Sequence, residues 1–453
     1  MTEQGAGYFK EMNMSIDSKV LRNEGQLDPA FGDGGLVLLN APGAPEGSVN
    51  PKGMGVDADG RLYVVGDVQL TRQRVDYYCV RLTANGMIDP TFGKAGYVIA
   101  AFVENDEGRS YSQISEVVEL SDGKILLIGH YYDGTFNTWK GLIRLHPDGT
   151  PDSTFGNNGT VLIALGSIGE IQAHSFEAPS TSSGIAAAGN SVILPDGKIL
   201  LHEPVYDGVE ETQTAIIRLT PDGALDPDFN QTGIVRIAFA DFAHTHLTDV
   251  LVSADGKYVF SGYCRNLANE GSRALFTRLL ATGATDVSFG NNGYRLIEPQ
   301  EASMSFLLER LVAQTNQRLL GIGYTLDDAE CGLLVSRESD GSANIQFNRG
   351  KPLLTSLDDR DTYWHHASVQ KDGSILVYGH IYKPAQVVVA RFTDAGILDK
   401  NFGAGTGWLQ FDADPFGMAS ALITDRTVLF FAAVRVNNHH QLGVARGLIA
   451  PQA

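Results

Sequence analysis

Short apolar runs separated by turn residues recur along the whole chain, and they predict many β-strands and few helices. In one unit the runs are ISEVVEL (114–120), ILLIGHYY (125–132), GLIRL (141–145) and TVLIA (160–164), and turns rich in Asp and Gly join them. Runs of about four to eight apolar or alternating residues between such turns are typical of strands. The pattern therefore predicts four short strands in each unit.

One phrase, of the form G-x-x-D-x-x-F-G, follows the third run of each unit and defines the repeat. Its copies lie between 55 residues apart (Phe347 to Phe402) and 74 residues apart (Phe155 to Phe229). This period is too long for a solenoid coil, which takes about 20 to 45 residues, but it suits a four-stranded propeller blade. The seven phrases, which predict an all-β, seven-bladed β-propeller, are centred on Phe31, Phe92, Phe155, Phe229, Phe289, Phe347 and Phe402.

An arginine ends the third run of each unit, a few residues before the phrase. The last of them, Arg446, has no phrase after it, and the phrase that begins at Gly25 has no arginine before it. We therefore predict that the N-terminal strand completes the C-terminal blade and closes the ring, which leaves no unpaired edge. On this interpretation residues 25–453 are one propeller, and residues 1–24 are a tail or a short helix. The arginines are Arg81, Arg144, Arg218, Arg278, Arg337, Arg391 and Arg446.

The repeated residues have a structural interpretation. A phenylalanine beside glycine in every unit is predicted to wedge between neighbouring blades. The aspartate of the phrase is predicted to hold the arginine that ends the third strand, through a charge-assisted hydrogen bond. An arginine ring that lines an anion site is the alternative, but the matching carboxylates favour structural pairing. The aspartates are Asp28, Asp89, Asp152, Asp226, Asp286 and Asp399, and Asn344 takes their place in the sixth copy.

The unit DGKILLIG…IRLHPDGTPDSTFGNNG resembles the bacterial delta-60 repeat family, whose repeats are assigned to β-propellers. The resemblance extends over nearly the whole chain from about Gly25, and the unit at 306–357 departs from it by losing both the Asp and the FG of the phrase. The family is largely uncharacterised, so the resemblance implies a propeller fold and no catalytic residues.

Charge and composition limit the partners. The net charge of −19 and the pI near 4.9 argue against nucleic acid and anionic membrane surfaces, which both require clustered Lys and Arg. The first residues contain no apolar core of a signal peptide, and no stretch reaches the ~18 apolar residues of a membrane span. We expect a cytoplasmic protein, or one released without a cleaved signal peptide. Cys79, Cys264 and Cys331 fall at different points of the repeat, so a disulfide framework is not expected.

Candidate functional residues lie where the units differ, in the connections that lead into the first strands. In propellers these connections open onto one rim of the central channel, and the long segment 166–191 is predicted to cover part of it. The rim is predicted to bind a ligand through an aromatic, histidine-rich and acidic set. Its members are Arg109, Tyr111, His244, His246, Asp361, Tyr363, Trp364, His365 and His366.

Several of these residues also have plainer interpretations. His244 and His246 could bind a metal ion with His365 or His366, but exposed loop histidines are the favoured interpretation, and no metal site or cofactor is predicted. Trp364 could stack on a sugar or a cation, or it could fill a gap near the channel. His130 and His380 end second strands, and we interpret both as residues of a solvated strand end.

No nucleophile elbow, P-loop or dinucleotide-binding fingerprint occurs in the sequence. The sequence therefore favours a non-catalytic binding or scaffolding propeller that presents its rim to a protein or a glycan. A hydrolase or lyase that works at the channel mouth with His246, His365 and neighbouring acids is one alternative. A structural component of a secreted or toxin-like assembly, docked through residues 1–24, is the other.

Overall fold

The structure is a computed structural model, and it has an all-β, propeller-like fold. Strands dominate, and the described part of the chain adds short 3-10 turns at Thr315–Gln317, Asn348–Gly350 and Gly403–Gly405. The long segment 166–191 and the tail 1–24, both singled out from the sequence, lie almost entirely outside the described residues. The described residues are 24–103, 110–132, 137–167, 191–207, 211–239, 241–266, 271–326, 329–415, 420–436 and 439–450.

Two short strands, β1 (Gln26–Leu27) and β2 (Leu36–Leu38), come first, and sets of four antiparallel strands follow in chain order. The first set is β3 (Val49–Val56), β4 (Leu62–Gln69), β5 (Arg74–Leu82) and β6 (Tyr97–Ala100). The second set is β7 (Ser110–Glu119), β8 (Ile125–Tyr132), β9 (Asn137–Leu145) and β10 (Thr160–Ser167). The third set is β11 (Val192–Ile193), β12 (Ile199–Asp207), β13 (Glu211–Leu219) and β14 (Ile234–Ile237).

The second half of the chain continues the same order. The fourth set is β15 (His244–Val252), β16 (Tyr258–Arg265), β17 (Arg273–Leu279) and β18 (Tyr294–Ile297). The fifth set is β19 (Ser305–Ala313), β20 (Leu319–Leu326), β21 (Gly332–Arg337) and β22 (Leu353–Thr355). The sixth set is β23 (Thr362–Val369), β24 (Ile375–Ile381), β25 (Gln386–Phe392) and β26 (Trp408–Phe411). The last strands are β27 (Asp414–Pro415), β28 (Ala421–Ile423), β29 (Thr427–Val436) and β30 (His439–Leu448).

The strands from the two ends of the described chain share one sheet. β1 and β2 both pair antiparallel with β30, and Val37 lies opposite Val444 in the register. The backbone N–H of Arg446 donates to the carbonyl of Gly35 over 2.9 Å, which continues the ladder between the two strands. The first residues of the repeat therefore supply the outer strands of the sheet that β28 and β29 begin.

The hydrophobic core lies between consecutive sets of strands. In each cluster of the described residues, apolar side chains of one set pack against those of the next. One cluster joins Val64 and Tyr78 of the first set to Phe431 and Val444 of the last sheet. Burying such side chains contributes about 1.5 to 3 kcal/mol each, so the contacts between sets supply most of the stabilising area.

The repeated phrase forms a joint between two sets. In the second set Arg144 Nε donates to Asp152 over 2.7 Å, and its guanidinium carbon lies 4.6 Å from the ring centre of Phe155. Arg144 Nη1 also donates to the carbonyl of Pro221, in the next unit, over 2.5 Å. Gly223 of that unit has a φ of +92°, and a side chain there would begin 2.9 Å from the Phe155 ring. Arginine, phenylalanine and glycine thus hold two sets together.

The same arginine–aspartate pair recurs around the fold. The distance from the arginine Nε to the carboxylate lies between 2.6 and 2.9 Å in six units. The unit with Asn344 differs, because the Asn344 amide donates to Ser336 Oγ over 2.9 Å. Burial, and then Arg295, lowers the pKa of Arg337 to about 10 in that unit.

The remaining sequence expectations concern cysteines and membranes. All three cysteines, Cys79, Cys264 and Cys331, have free thiols. In the described residues no helix has the length and apolar character that crossing a membrane requires.

Candidate functional site

First strands of neighbouring sets contact one another, for example β3 with β7, β15 with β19, and β19 with β23. Five of them contain a β-bulge, in which one extra residue interrupts the pairing with the second strand. A bulge bends the strand and redirects a side chain. The bulged residues are Lys52, Ser115, Thr248, Glu309 and His365.

A glycine of the second strand faces each bulge. Glycine is required there because the backbone of the first strand lies too close for a side chain. A Cβ at Gly379 would lie 1.8 Å from the carbonyl oxygen of Tyr363, which no side chain can accommodate. The same conflict, at 1.8 to 2.0 Å, arises at Gly66, Gly129, Gly262 and Gly323.

The residue after each of these glycines pairs across the strands with the residue opposite it in the first strand. We call these cross-strand pairs the rim pairs, because they lie where the first strands begin and the second strands end. The rim pairs are Asn50 with Asp67, Gln113 with His130, His246 with Tyr263, Leu307 with Tyr324, and Tyr363 with His380. One bulge and one glycine thus place a rim pair in each of five sets, and every pair contains at least one polar or aromatic side chain.

A chain of hydrogen bonds joins the fifth and sixth sets at this rim. Glu309 Oε2 lies 2.6 Å from His365 Nδ1, and His365 Nε2 lies 2.8 Å from His380 Nδ1. His365 and His380 are 6% and 2% exposed. His380 Nε2 is buried and has no hydrogen-bond partner among the described residues. Burial, and then His365, lowers the pKa of His380 to about 2, so its imidazole is neutral at ordinary pH.

Tyrosine rings surround this chain. Tyr363 stacks on His380 with ring centres 4.6 Å apart and planes inclined by 3°, and Tyr382 meets His380 edge to face at 4.7 Å. Tyr324 packs against Tyr363 at 5.1 Å. Burial, and then the Glu309 carboxylate, raises the pKa of the Tyr324 phenol well above its usual value. Tyr382 is 37% exposed, so the group reaches the surface through this ring.

The fourth set adds a smaller group beside it. His246 stacks on Tyr263 at 4.9 Å, and His244 lies 6.3 Å from His246. Burial, and then His244, lowers the pKa of His246 to about 4. Both histidines are half-buried and not the freely exposed loop residues that the sequence favoured. Among the described residues no cluster of three or more His, Cys, Asp or Glu side chains could hold a metal ion.

The third set departs from the glycine rule, since Glu203 takes the position of the glycine. Its carboxylate binds His130 Nε2 at 2.8 Å and Lys140 Nζ at 2.9 Å, and both residues belong to the second set. Burial opposes ionisation, but the neighbouring His130 and Lys140 lower the pKa of Glu203 well below its usual range. Lys140 is only 2% exposed, and Glu116 adds a second carboxylate close to it. These charges form a buried clamp between the two sets.

The structure decides between the two interpretations of Trp364 and corrects the expectations for other residues. Trp364 is fully buried, and its ring centre lies 6.3 Å from that of Phe392, so it fills a gap in the core. His130 and His380 are not solvated strand ends, because Glu203 binds His130 and His380 is 2% exposed. The bulge at His365 turns His366 away from the chain, toward Arg310. Burial, and then Arg310, lowers the pKa of His366 to about 3.

The other predicted rim residues have separate surroundings. Asp361 lies near the group and pairs with Lys383 Nζ at 3.5 Å. Tyr111 is 41% exposed and lies opposite Tyr132 in the second set. Arg109 lies outside the described residues. The structure thus brings Asp361, Tyr363 and His365 together and leaves Tyr111 in another set.

Sequence reasoning missed Glu309, Tyr324, His380 and Tyr382. The signal was present in the alignment of the units, since Tyr263, Tyr324 and His380 all follow the conserved glycine of a second strand. Glu309 becomes visible only through the bulge, because its alignment with His365 depends on the register of the first strands.

Solved structures that are similar to this chain match it at low identity and with TM-scores below 0.5. A protein of unknown function from Dyadobacter fermentans covers 92% of this chain and 100% of its own, with 11% identity and a TM-score of 0.44. The match to the polysaccharide lyase Uly1 covers 95% of this chain and 98% of the lyase, with 11% identity and a TM-score of 0.48. The match to an ulvan lyase covers 91% of this chain and 96% of the lyase, with 10% identity and a TM-score of 0.49.

The sequence itself matches one family model, and no curated protein matches it. The model is described as a domain of unknown function (DUF5122) of the β-propeller type, and it matches residues 58–92, 120–155 and 194–229. Each match runs from the turn before a second strand to the phenylalanine of the phrase. The chain therefore carries repeats of a β-propeller family.

Proposed function

We propose that the protein is a closed, seven-bladed β-propeller that binds a glycan at its rim and does not transform it. The pairing of β1 and β2 with β30 supports the closed ring, as does the hydrophobic cluster that joins Val64 to Phe431. The phrase around each phenylalanine supports the assignment of the repeats to the delta-60 repeat family. The rigid frame holds the rim pairs in place without a flexible connection.

An engineered disulfide tests the closed ring. Val37 and Val444 are directly opposed in the register of β2 and β30, so a V37C/V444C variant should oxidise within one chain. The control is the variant V37C/L429C, in which the second cysteine lies on the neighbouring strand β29. Unlinked thiols in V37C/V444C after oxidation, by peptide mass mapping, would reject the closed ring.

One observation carries the binding function, and it is the aromatic group around His380. Tyr363, Tyr324 and Tyr382 offer ring faces and hydroxyl groups next to a buried polar nitrogen. Tyrosine combines an apolar face with a polar tip, and a small number of placed polar groups among apolar walls is typical of ligand sites. A sugar ring has the matching surface, with apolar C–H faces and hydroxyl edges. The compact group suits a sugar better than a broad protein interface, which buries about 800 Å² on each partner.

A glycan array followed by calorimetry tests this function. The wild-type chain should bind at least one glycan, and Tyr363→Ala should weaken that binding about tenfold or more, since aromatic contacts dominate such sites. Tyr132→Ala is the control, because Tyr132 is a surface tyrosine of another set, at the end of the second strand β8. An array without any binding would reject the proposal.

Acid–base chemistry at the same rim is a second candidate, and the Glu309–His365–His380 chain favours it. A carboxylate that orients an imidazole is the usual arrangement for a histidine acid or base. The pKa of about 2 makes His380 a weak base in this conformation, and binding therefore stands first. Product analysis of bound glycans by mass spectrometry separates the two, since turnover that His380→Gln abolishes without loss of binding would favour the enzyme.

A further inference from the structure

The buried nitrogen of His380 has a defined protonation state, and its neighbours determine it. A glutamate at ordinary pH accepts hydrogen bonds, so His365 Nδ1 must carry the proton that it shares with Glu309. With one proton on the His365 ring, Nε2 accepts the hydrogen bond that His380 Nδ1 donates. His380 Nε2 is left with a lone pair that faces no donor among the described residues.

A buried acceptor without a donor is unfavourable, because it has lost its hydrogen bonds to water without replacing them. A ligand that supplies the missing hydrogen bond is one reason for such an atom, as is an ordered water, and the surrounding aromatic rings favour a ligand at His380. At His380 the acceptor lies between the stacked face of Tyr363 and the edge-to-face ring of Tyr382. Tyr382 is 37% exposed, so it is the ring that a ligand meets first.

The charges near this nitrogen select against anions. Glu309, Glu330 and Asp361 lie around the tyrosine group, and Lys383 is the cation that pairs with Asp361. Burial, and then the nearby Asp361 carboxylate, raises the pKa of Glu330, and Lys383 opposes this rise. A carboxylate or sulfate on a ligand would be repelled here, whereas an uncharged hydroxyl would not.

We propose that His380 Nε2 is the hydroxyl-recognising atom of a subsite for a neutral sugar. A ligand hydroxyl donates to Nε2, the sugar ring lies against Tyr363 or Tyr382, and Tyr382 turns aside to admit it. Glu309 and His365 are positioning residues, because they fix which nitrogen of His380 carries the proton. This subsite rests on the proposed glycan-binding function and adds the charge class of the ligand and the atom that reads it.

Calorimetry with neutral oligosaccharides and with uronate-containing oligosaccharides of the same length tests the charge class. We expect the neutral series to bind at least tenfold more tightly. Equal or tighter binding of the uronate series would overturn the neutral-sugar subsite and leave glycan binding standing. An absence of binding by either series would reject the glycan function itself.

Two comparisons test the atom. His380→Phe keeps a planar ring and removes the acceptor, and it should weaken the best neutral oligosaccharide about tenfold, the value of one hydrogen bond. Deoxy versions of that oligosaccharide test the wild-type chain directly, so the result does not depend on the folding of the variant. One deoxy ligand should bind the wild type about tenfold more weakly than the parent oligosaccharide does. His380→Phe should bind this deoxy ligand as tightly as it binds the parent oligosaccharide. A His380→Phe variant that binds the oligosaccharide as tightly as the wild type would overturn the assignment of Nε2.

The positioning role has its own readout. In 15N-histidine NMR spectra the wild type should show His380 protonated at Nδ1, and ligand should shift the Nε2 resonance as a hydrogen bond forms. Glu309→Gln should populate the Nε2-protonated tautomer, and Glu309→Asp should restore the wild-type pattern. An unchanged tautomer in Glu309→Gln would show that Glu309 does not position His380.

Discussion

Glu309 and His365 are the bulged residues of two neighbouring first strands, and a 2.6 Å hydrogen bond between Oε2 and Nδ1 joins them. Each bulge redirects its side chain from the strand ladder toward the neighbouring set. The polar chain at the rim is thus a product of the backbone register, with a glycine opposite each bulge that permits it.

The protonation of His380 gives the first prediction. We expect its imidazole to stay neutral between about pH 5 and 8, because burial, and then His365, lowers its pKa to about 2. Long-range 1H–15N NMR spectra of the histidine rings measure this, and His380→Gln identifies the resonance. A midpoint inside that range would contradict the buried, neutral state.

The second prediction concerns stability at mildly acidic pH. Burial, and then Lys140, lowers the pKa of His202 to about 4, whereas an unfolded histidine titrates near 6.5. Between these values the unfolded chain binds a proton that the folded chain does not, so stability is lost as the pH falls from about 6.5 toward about 4. His202→Leu should reduce this loss by about 1.4 kcal/mol per pH unit in urea unfolding experiments.

His146→Gln is the matched control for that experiment, because the side chain of His146 is 44% exposed. Its pH dependence should follow that of the wild type. The same slope in His202→Leu and in the wild type would show that His202 titrates normally in the folded chain.

The clamp of Glu203 and Lys140 gives the third prediction. Glu203→Gln removes one charge and leaves Glu116 as the remaining carboxylate near the buried Lys140 ammonium, which should destabilise the fold by about 3 to 5 kcal/mol. Lys140→Met together with Glu203→Gln removes both charges, and the double variant should be more stable than Glu203→Gln alone. Urea unfolding of the two variants measures the difference, and equal stabilities would mean that the Lys140 ammonium does not destabilise Glu203→Gln.

The fourth prediction tests the joint between sets. Phe155 is fully buried under Arg144 and against Gly223, so Phe155→Ala should cost about 3 to 5 kcal/mol of unfolding free energy. Ile345 is 76% exposed, and Ile345→Ala is therefore expected to change stability by less than about 0.5 kcal/mol. Similar losses in both variants would remove the distinction between the buried joint and the surface.

The sequence predicted the frame well for a physical reason. The strands, the turns and the phrase repeat because every set packs against its neighbours in the same way. The contact of Arg144 with Phe155 is the example from one unit. The pairing of β2 with β30 was also predicted, since Arg446 lacked a phrase and Gly25 lacked an arginine.

The candidate site was only partly predictable. Tyr363 and His365 stood out because their segment is rich in aromatic and histidine residues, but Trp364 between them points into the core. Successive side chains of a strand point to alternate faces of the sheet, and a bulge interrupts this alternation. The bulge at His365 is such an interruption. Glu309 belongs to an ordinary apolar run, so composition gave no reason to select it.

The sheet that β1 and β2 share with β30 has a consequence for folding during synthesis. The N-terminal strands leave the ribosome first, but their partner follows about 400 residues later. At about 5 to 20 residues per second, this wait lasts about 20 to 80 s. During that time β2 has an open edge that other chains can pair with. Nascent chains crowded on one messenger RNA are therefore the population in which intermolecular strand exchange would first be detected.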